Sequence, residues 1–250
     1  MHTKTKVTVA ISLFAFSGFS AAALDISDDF NDLNDVGWTH IEPLAGFGAA
    51  PIFTYPLGAY KILNPATPSL LTLGPARAGS LRLDATYTDF LETVDVVDWS
   101  TTLGNTMGLL ARVSTPGTGT TNGYAATFDA NGAFNIFRVT GEVPTPIATA
   151  SALPINIAND YRIVFSGTGT SFLAQLFDIA NLLTPISTIA GTDATYASGV
   201  SGVFIYDGGT GTNAPTATFD NYTSTIPEPA SALLACFGAG LLTLRRRRTS

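Results

Sequence analysis

Hydrophobic and polar positions alternate along most of this chain, in short runs separated by clusters of Gly, Pro, Asn and Asp. Residues 80–87 read SLRLDATY. With a period of two, Leu81, Leu83, Ala85 and Tyr87 take one face, and Arg82, Asp84 and Thr86 the other. Further runs rich in Val, Ile, Thr, Phe and Tyr occupy 90–99, 107–113, 124–128, 134–139, 161–165, 171–177, 200–206 and 216–222. Asp129-Ala130-Asn131-Gly132 separates two of them, and Asn-Gly is the strongest short hairpin signal because both residues tolerate positive φ. The SGTGT stretch at 166–170 marks a second hairpin. No stretch of the body sustains a helical period, and no repeat of fixed length argues for a solenoid or propeller. The pattern predicts an all-β protein: one jelly-roll-like antiparallel β-sandwich over 24–225.

The two ends follow other rules. Lys4 and Lys6 precede an apolar run at 7–19, and Ala21-Ala22-Ala23 follows. That order predicts a secretory signal peptide over 1–23, cut after Ala23. At the other end come Pro227, Glu228 and Pro229, then fifteen uncharged residues, ASALLACFGAGLLTL, then Arg245, Arg246, Arg247 and Arg248. As a helix the apolar run is roughly 22 Å long, short of a hydrocarbon core of about 30 Å. The arginines can snorkel to cover the mismatch, and they hold their end cytoplasmic.

Pro-Glu-Pro, a short apolar helix and a basic end resemble the PEP-CTERM sorting signal of Gram-negative bacteria, a tail also described as the ice-binding protein C-terminal domain. The resemblance implies an exported envelope or matrix protein, held in the inner membrane by 226–250. It implies recognition of Pro227–Pro229 by an exosortase, a transpeptidase-like protease that removes the tail, and an association with exopolysaccharide. Ice binding is not expected. That function needs a flat, regular threonine array, and the threonines of 115–121 sit in an irregular loop.

Charge sharpens the picture. The whole chain carries −7, but half of its basic residues lie in the two end segments, so the body is more acidic still. Such a surface does not bind nucleic acid. The one cysteine, Cys236, lies in the tail, so the body has no disulfide and must be held by its core, alone or with a metal.

Pieces of the body, in order, resemble the concanavalin A-like (laminin G-like) jelly-roll superfamily. They are Asp28-Asp29-Phe30-Asn31 with Gly37-Trp38, Tyr87-Thr88-Asp89-Phe90, Gly108 to Arg112, Asn122-Gly123-Tyr124, Asp160-Tyr161-Arg162 and Phe219-Asp220-Asn221-Tyr222. A galactose-binding-like jelly roll is the alternative. The superfamily holds lectins, carbohydrate-binding modules, glycoside hydrolases and plain structural modules, so fold does not give function.

Three constellations carry candidate chemistry. Asp25, Asp28, Asp29, Asp32 and Asp35 crowd the start of the body. If first and last strands are neighbours, Asp28 and Asp29 meet Asp220 in a structural calcium site; otherwise they form a solvated acidic turn. Glu92, Asp95 and Asp98 share one strand. Alternation puts Glu92 and Asp98 on one face, as a glycosidase carboxylate pair or as solvent-facing acids. The superfamily's hydrolases tend to carry Glu-x-Asp with a second Glu, and this chain departs from that pattern. Trp38, Tyr55, Tyr60, Trp99, Tyr124 and Tyr206 could stack on sugars or pack the core, with Tyr55 and Tyr60 the expected sugar-facing pair. His40 is the one histidine of the body, and no zinc cluster is present. The reading is a non-catalytic protein that associates with exopolysaccharide. The alternatives are a carbohydrate-active enzyme and a purely structural matrix protein.

Overall fold

The computed structural model describes residues 25–208 and 213–226. The signal peptide with Ala23, the Pro227–Pro229 motif, the apolar run and Arg245 to Arg248 lie outside the described residues. Among the described residues no helix is long and apolar enough to cross a membrane.

The described chain forms fifteen strands. The first seven are β1 (Ile26–Asp28), β2 (Trp38–Ile41), β3 (Ile52–Thr54), β4 (Tyr60–Leu63), β5 (Arg77–Tyr87), β6 (Phe90–Trp99) and β7 (Asn105–Ser114). Next come β8 (Asn122–Asp129), β9 (Phe134–Thr140), β10 (Val143–Ala150), β11 (Tyr161–Thr168) and β12 (Ser171–Asp178). β13 (Ser187–Thr192), β14 (Gly199–Asp207) and β15 (Thr216–Thr225) complete the set. One sheet of eight strands runs β13-β12-β11-β6-β15-β4-β3, with β1 on β15; a second of seven runs β10-β9-β8-β7-β14-β5-β2. All pairs are antiparallel, and sequence neighbours often lie in different sheets, as a jelly roll requires. The predicted sandwich and both hairpins are present: β8 turns into β9 through Gly132, and β11 into β12 through Gly169.

The core lies between the sheets. Phe90, Val94, Val96, Tyr161, Ile163, Phe165 and Phe219 face it from one side, and Leu109, Tyr124, Phe128, Phe134, Ile136, Val203 and Ile205 from the other. Burial of these aliphatic and aromatic side chains drives the fold, as expected for a body without cysteine.

Two expectations of strict alternation fail, each at a bulge. β14 spans with Val200 the stretch that β5 covers with Leu83–Thr86. Leu83 is therefore exposed and Leu81 packs in a separate cluster on the outer face, while Ala85 and Tyr87 point inward. β6 holds one extra residue, Val97, against β15, where Thr218 pairs Asp98 and Phe219 pairs Val96. That residue turns Asp98 out of the face that Glu92 occupies. β10 was hidden in the sequence because it carries Pro144 and Pro146, which only an edge strand tolerates; β10 is such an edge.

Candidate functional site

A cleft of about 560 Å³ lies on the outer face of the seven-stranded sheet, within the range of ligand sites. Register builds its floor as three rows. Ile41, Gly79, Phe204, Gly108, Thr127 and Asn135 stand side by side across six strands. Arg77, Tyr206, Thr106 and Asp129 form the row on one side. Leu81, Gly202, Leu110, Ala125 and Phe137 form the row on the other.

Phe204 is the centre of this floor. Its neighbours on both adjacent strands are glycines, Gly79 and Gly108. A Cβ on Gly108 would lie 1.9 Å from the Ala126 carbonyl oxygen, and one on Gly79 2.7 Å from that of Val203. The backbones thus approach too closely for any other residue, and no side chain flanks the Phe204 ring along its row.

Polar groups ring this apolar floor. Arg77 Nη2 donates to Glu142 Oε2 at 2.6 Å. β5 and the β9–β10 turn are separated in the sheet by β14, β7 and β8, so the ion pair crosses above those strands. The Gly119 amide donates to the same Glu142 oxygen at 2.7 Å, and Thr118 Oγ1 donates to the Pro43 carbonyl at 2.8 Å. The β7–β8 loop therefore ties down one side of the cleft. Asp129 Oδ1 accepts from the Asn131 and Ala133 amides and shapes the β8–β9 turn. Tyr206 is half-buried beside Arg77. Burial raises its hydroxyl pKa, Arg77 opposes the rise and Asp207 adds to it. Two buried polar atoms in the wall have no protein partner, Thr127 Oγ1 and Arg77 Nε.

The residues singled out from the sequence fall mostly elsewhere. Trp38, Tyr60, Trp99 and Tyr124 are core residues. Tyr60, expected to face sugar, is fully buried with its hydroxyl 2.6 Å from Ser80 Oγ, because rings of Phe30, Phe53 and Tyr55 stack around it. Tyr55 is half-buried against Tyr60, and its hydroxyl pKa is raised first by burial and then by Asp35. Tyr206 alone of the six aromatics lines the cleft. His40 lies between Asp35 (2.6 Å) and Glu42 (3.3 Å), stacked on Phe53. Both ring nitrogens are engaged by acids, so neither is free to activate a nucleophile.

The proposed carboxylate pair is not a pair, and two of its members are not solvent-facing acids. Glu92 is fully buried between the sheets. Asp95 is outward but covered, held by Arg162 through two bonds of 2.6 and 2.7 Å and by Asn221 Nδ2 at 3.0 Å. Asp98 is exposed and bonded to Lys61. All three lie on the other sheet from the cleft.

β1 does pair with β15, with Asp28 opposite Tyr222, so the first and last strands are neighbours as expected. Asp29 adds to the negative field on Asp220, whose pKa is raised first by burial and then by Asp95 and Asp29. Asp28 turns away from both, accepting from Trp38 Nε1 at 2.7 Å and from the Phe30 amide at 2.8 Å. These carboxylates do not converge on a cation. Among the described residues no group of three or more His, Cys, Asp or Glu side chains could hold a metal ion.

Sequence reasoning missed Arg77, Thr127, Asn135, Phe137 and Phe204. One signal was present: Gly79, Gly108 and Gly202 interrupt strand patterns, and glycine inside a strand marks close approach of backbone or ligand.

No family model and no curated protein matches this sequence. Solved structures do match. The carbohydrate-binding module CBM66 from Bacillus subtilis superposes with a TM-score of 0.54 at 18% identity, over 75% of this chain and 94% of that one. The lectin UEA-II complexed with galactose gives 0.54 at 12%, over 81% and 98%. A β-1,3-1,4-glucanase (lichenase) derived from a mouse hindgut metagenome gives 0.55 at 12%, over 81% and 99%. At such identities the likeness establishes a shared fold, the lectin-like or concanavalin-like jelly roll, which spans nearly the full length of each of these structures.

Proposed function

We propose that this chain is an exported envelope or matrix protein that holds extracellular polysaccharide in its outer-face cleft without cleaving it. One observation carries the reading: an aromatic floor bared by flanking glycines and ringed by polar groups. A sugar ring offers an apolar face to stack on Phe204 and hydroxyls for the polar groups that ring it. The printed names of the fold's neighbours, among them a carbohydrate-binding module and a galactose-bound lectin, support a glycan as the ligand. The signal-like 1–23 and the PEP-CTERM-like 226–250 support export, transient anchoring in the inner membrane and recognition by an exosortase. The reading needs no metal.

A non-catalytic role is supported by the state of the two acids in the cleft. A glycosidase needs one carboxyl group free to protonate the leaving oxygen. Glu142 is locked by Arg77 and Gly119, and Asp129 by its own turn. Hydrolysis is the second reading, favoured by the placing of both carboxylates in a single cleft.

The test is binding of the full-length chain to a polysaccharide panel, with release of reducing ends followed in parallel. Saturable binding is expected, weakened about tenfold or more in Phe204→Ala, with a melting curve to establish that the variant is folded. Absence of binding from folded protein would reject the reading. Sugar release abolished by Asp129→Asn would establish hydrolysis instead.

A further inference from the structure

We propose that the cleft selects uncharged polysaccharide over uronate-bearing chains, and that Glu142 sets this selectivity by occupying Arg77. The inference rests on the cleft being a glycan site and names the class of glycan it takes.

Among the described residues lining the cleft, Arg77 is the one cation. Arginine binds a carboxylate strongly when two adjacent N–H groups form a fork. Three of the five N–H groups of a guanidinium are engaged here: Nη2 donates to Glu142 Oε2 at 2.6 Å, and Nη1 donates to the Leu73 and Pro75 carbonyls at 3.0 and 2.7 Å. Of the two that remain, the one on Nε is buried, so no open fork faces the cleft. The guanidinium charge is already balanced by Glu142.

Glu142 does not yield its place readily. The Gly119 amide holds the oxygen that binds Arg77, and the Glu142 amide donates to the Thr121 carbonyl at 2.9 Å. A uronate entering the cleft would therefore lose its water, find the arginine neutralised and meet the carboxylates of Glu142 and Asp129. The acidic charge of the whole chain, −7, works in the same direction. A neutral sugar meets none of these penalties. Its ring covers Phe204, and it brings no charge for Glu142 and Asp129 to repel.

The deciding experiment measures dissociation constants of the full-length chain at low salt. One set of polymers is neutral (glucans, galactans, fructans) and the other uronate-rich (polygalacturonate, alginate). The best neutral polymer should bind at least about tenfold more tightly than any uronate-rich one, with little dependence on added salt. Glu142→Gln keeps an oxygen to accept from Arg77 but removes the charge that balances it, and should narrow that gap about tenfold by gaining uronate binding. Adding Arg77→Met to Glu142→Gln should abolish the gain. A melting curve on each variant establishes that it is folded. If Glu142→Gln does not fold, the wild-type comparison alone decides the selectivity. Equal or tighter binding of uronate-rich polymers by the wild type would overturn the proposal, as would an unchanged ratio in folded Glu142→Gln. Failure of every polymer to bind folded wild-type protein would remove the glycan reading itself, and this inference with it.

Discussion

Glu92 lies fully buried between the sheets, and neither of its carboxylate oxygens has a partner. Around it stand other polar groups of the interior: Ser224 opposite it on β15, Tyr222 bonded to Ser201, and Tyr87. Burial pushes the Glu92 carboxyl pKa well above its usual value. The folded pKa is raised above an unfolded value of about 4.3. Glu92 therefore supports stability fully below that pH and withdraws the support as pH rises through its folded pKa. Glu92→Gln should melt above wild type at pH 8, by about 2–4 °C for each kcal/mol recovered, with the gap closing towards pH 4. Calorimetric melting of both proteins across that range checks it, and a gap that widens on acidification would contradict the assignment. At this scale the sequence was weakly legible. Glu92 follows Phe90 and precedes Val94 in the inward register, so its burial was readable from alternation. Asp95 was not, because its cover comes from Arg162, distant in sequence, through the pairing of β6 with β11.

Elements were legible wherever alternation was unbroken. The runs at 124–128, 134–139, 161–165 and 171–177 lie inside β8, β9, β11 and β12. Legibility ended at the bulges of β5 and β6, because an extra residue has no signature except in the partner strand. It also ended at the short strands β1 to β4, which take their structure from long neighbours. The glycines tie element to site. Gly108 lets β7 and β8 lie so close that a Cβ would collide with the Ala126 carbonyl. Gly108→Ala should therefore force the two strands apart, lowering stability by roughly 1–3 kcal/mol, and should weaken ligand binding as the floor around Phe204 shifts. Denaturant unfolding checks the first effect. A variant as stable as wild type would show that the floor tolerates a methyl group.

At the scale of the whole molecule, the two sheets divide the work. The interior between them supplies stability, and the outer face of one supplies the cleft. That cleft draws Ile41, Arg77, Thr127, Phe137, Glu142 and Phe204 from segments spread across most of the body. Only strand order and register bring them together, which is why the sandwich could be read from the chain and the site could not. On the function proposed above, the Phe204 floor is where the molecule meets its ligand. Amide and aromatic NMR shifts of the full-length chain, followed during titration with a polysaccharide it binds, test this most directly. Saturable shifts are expected, concentrated on Thr106, Thr127, Asn135, Phe137, Phe204 and Tyr206. Shifts gathered instead around Tyr55 and His40, with the cleft residues unmoved, would contradict it.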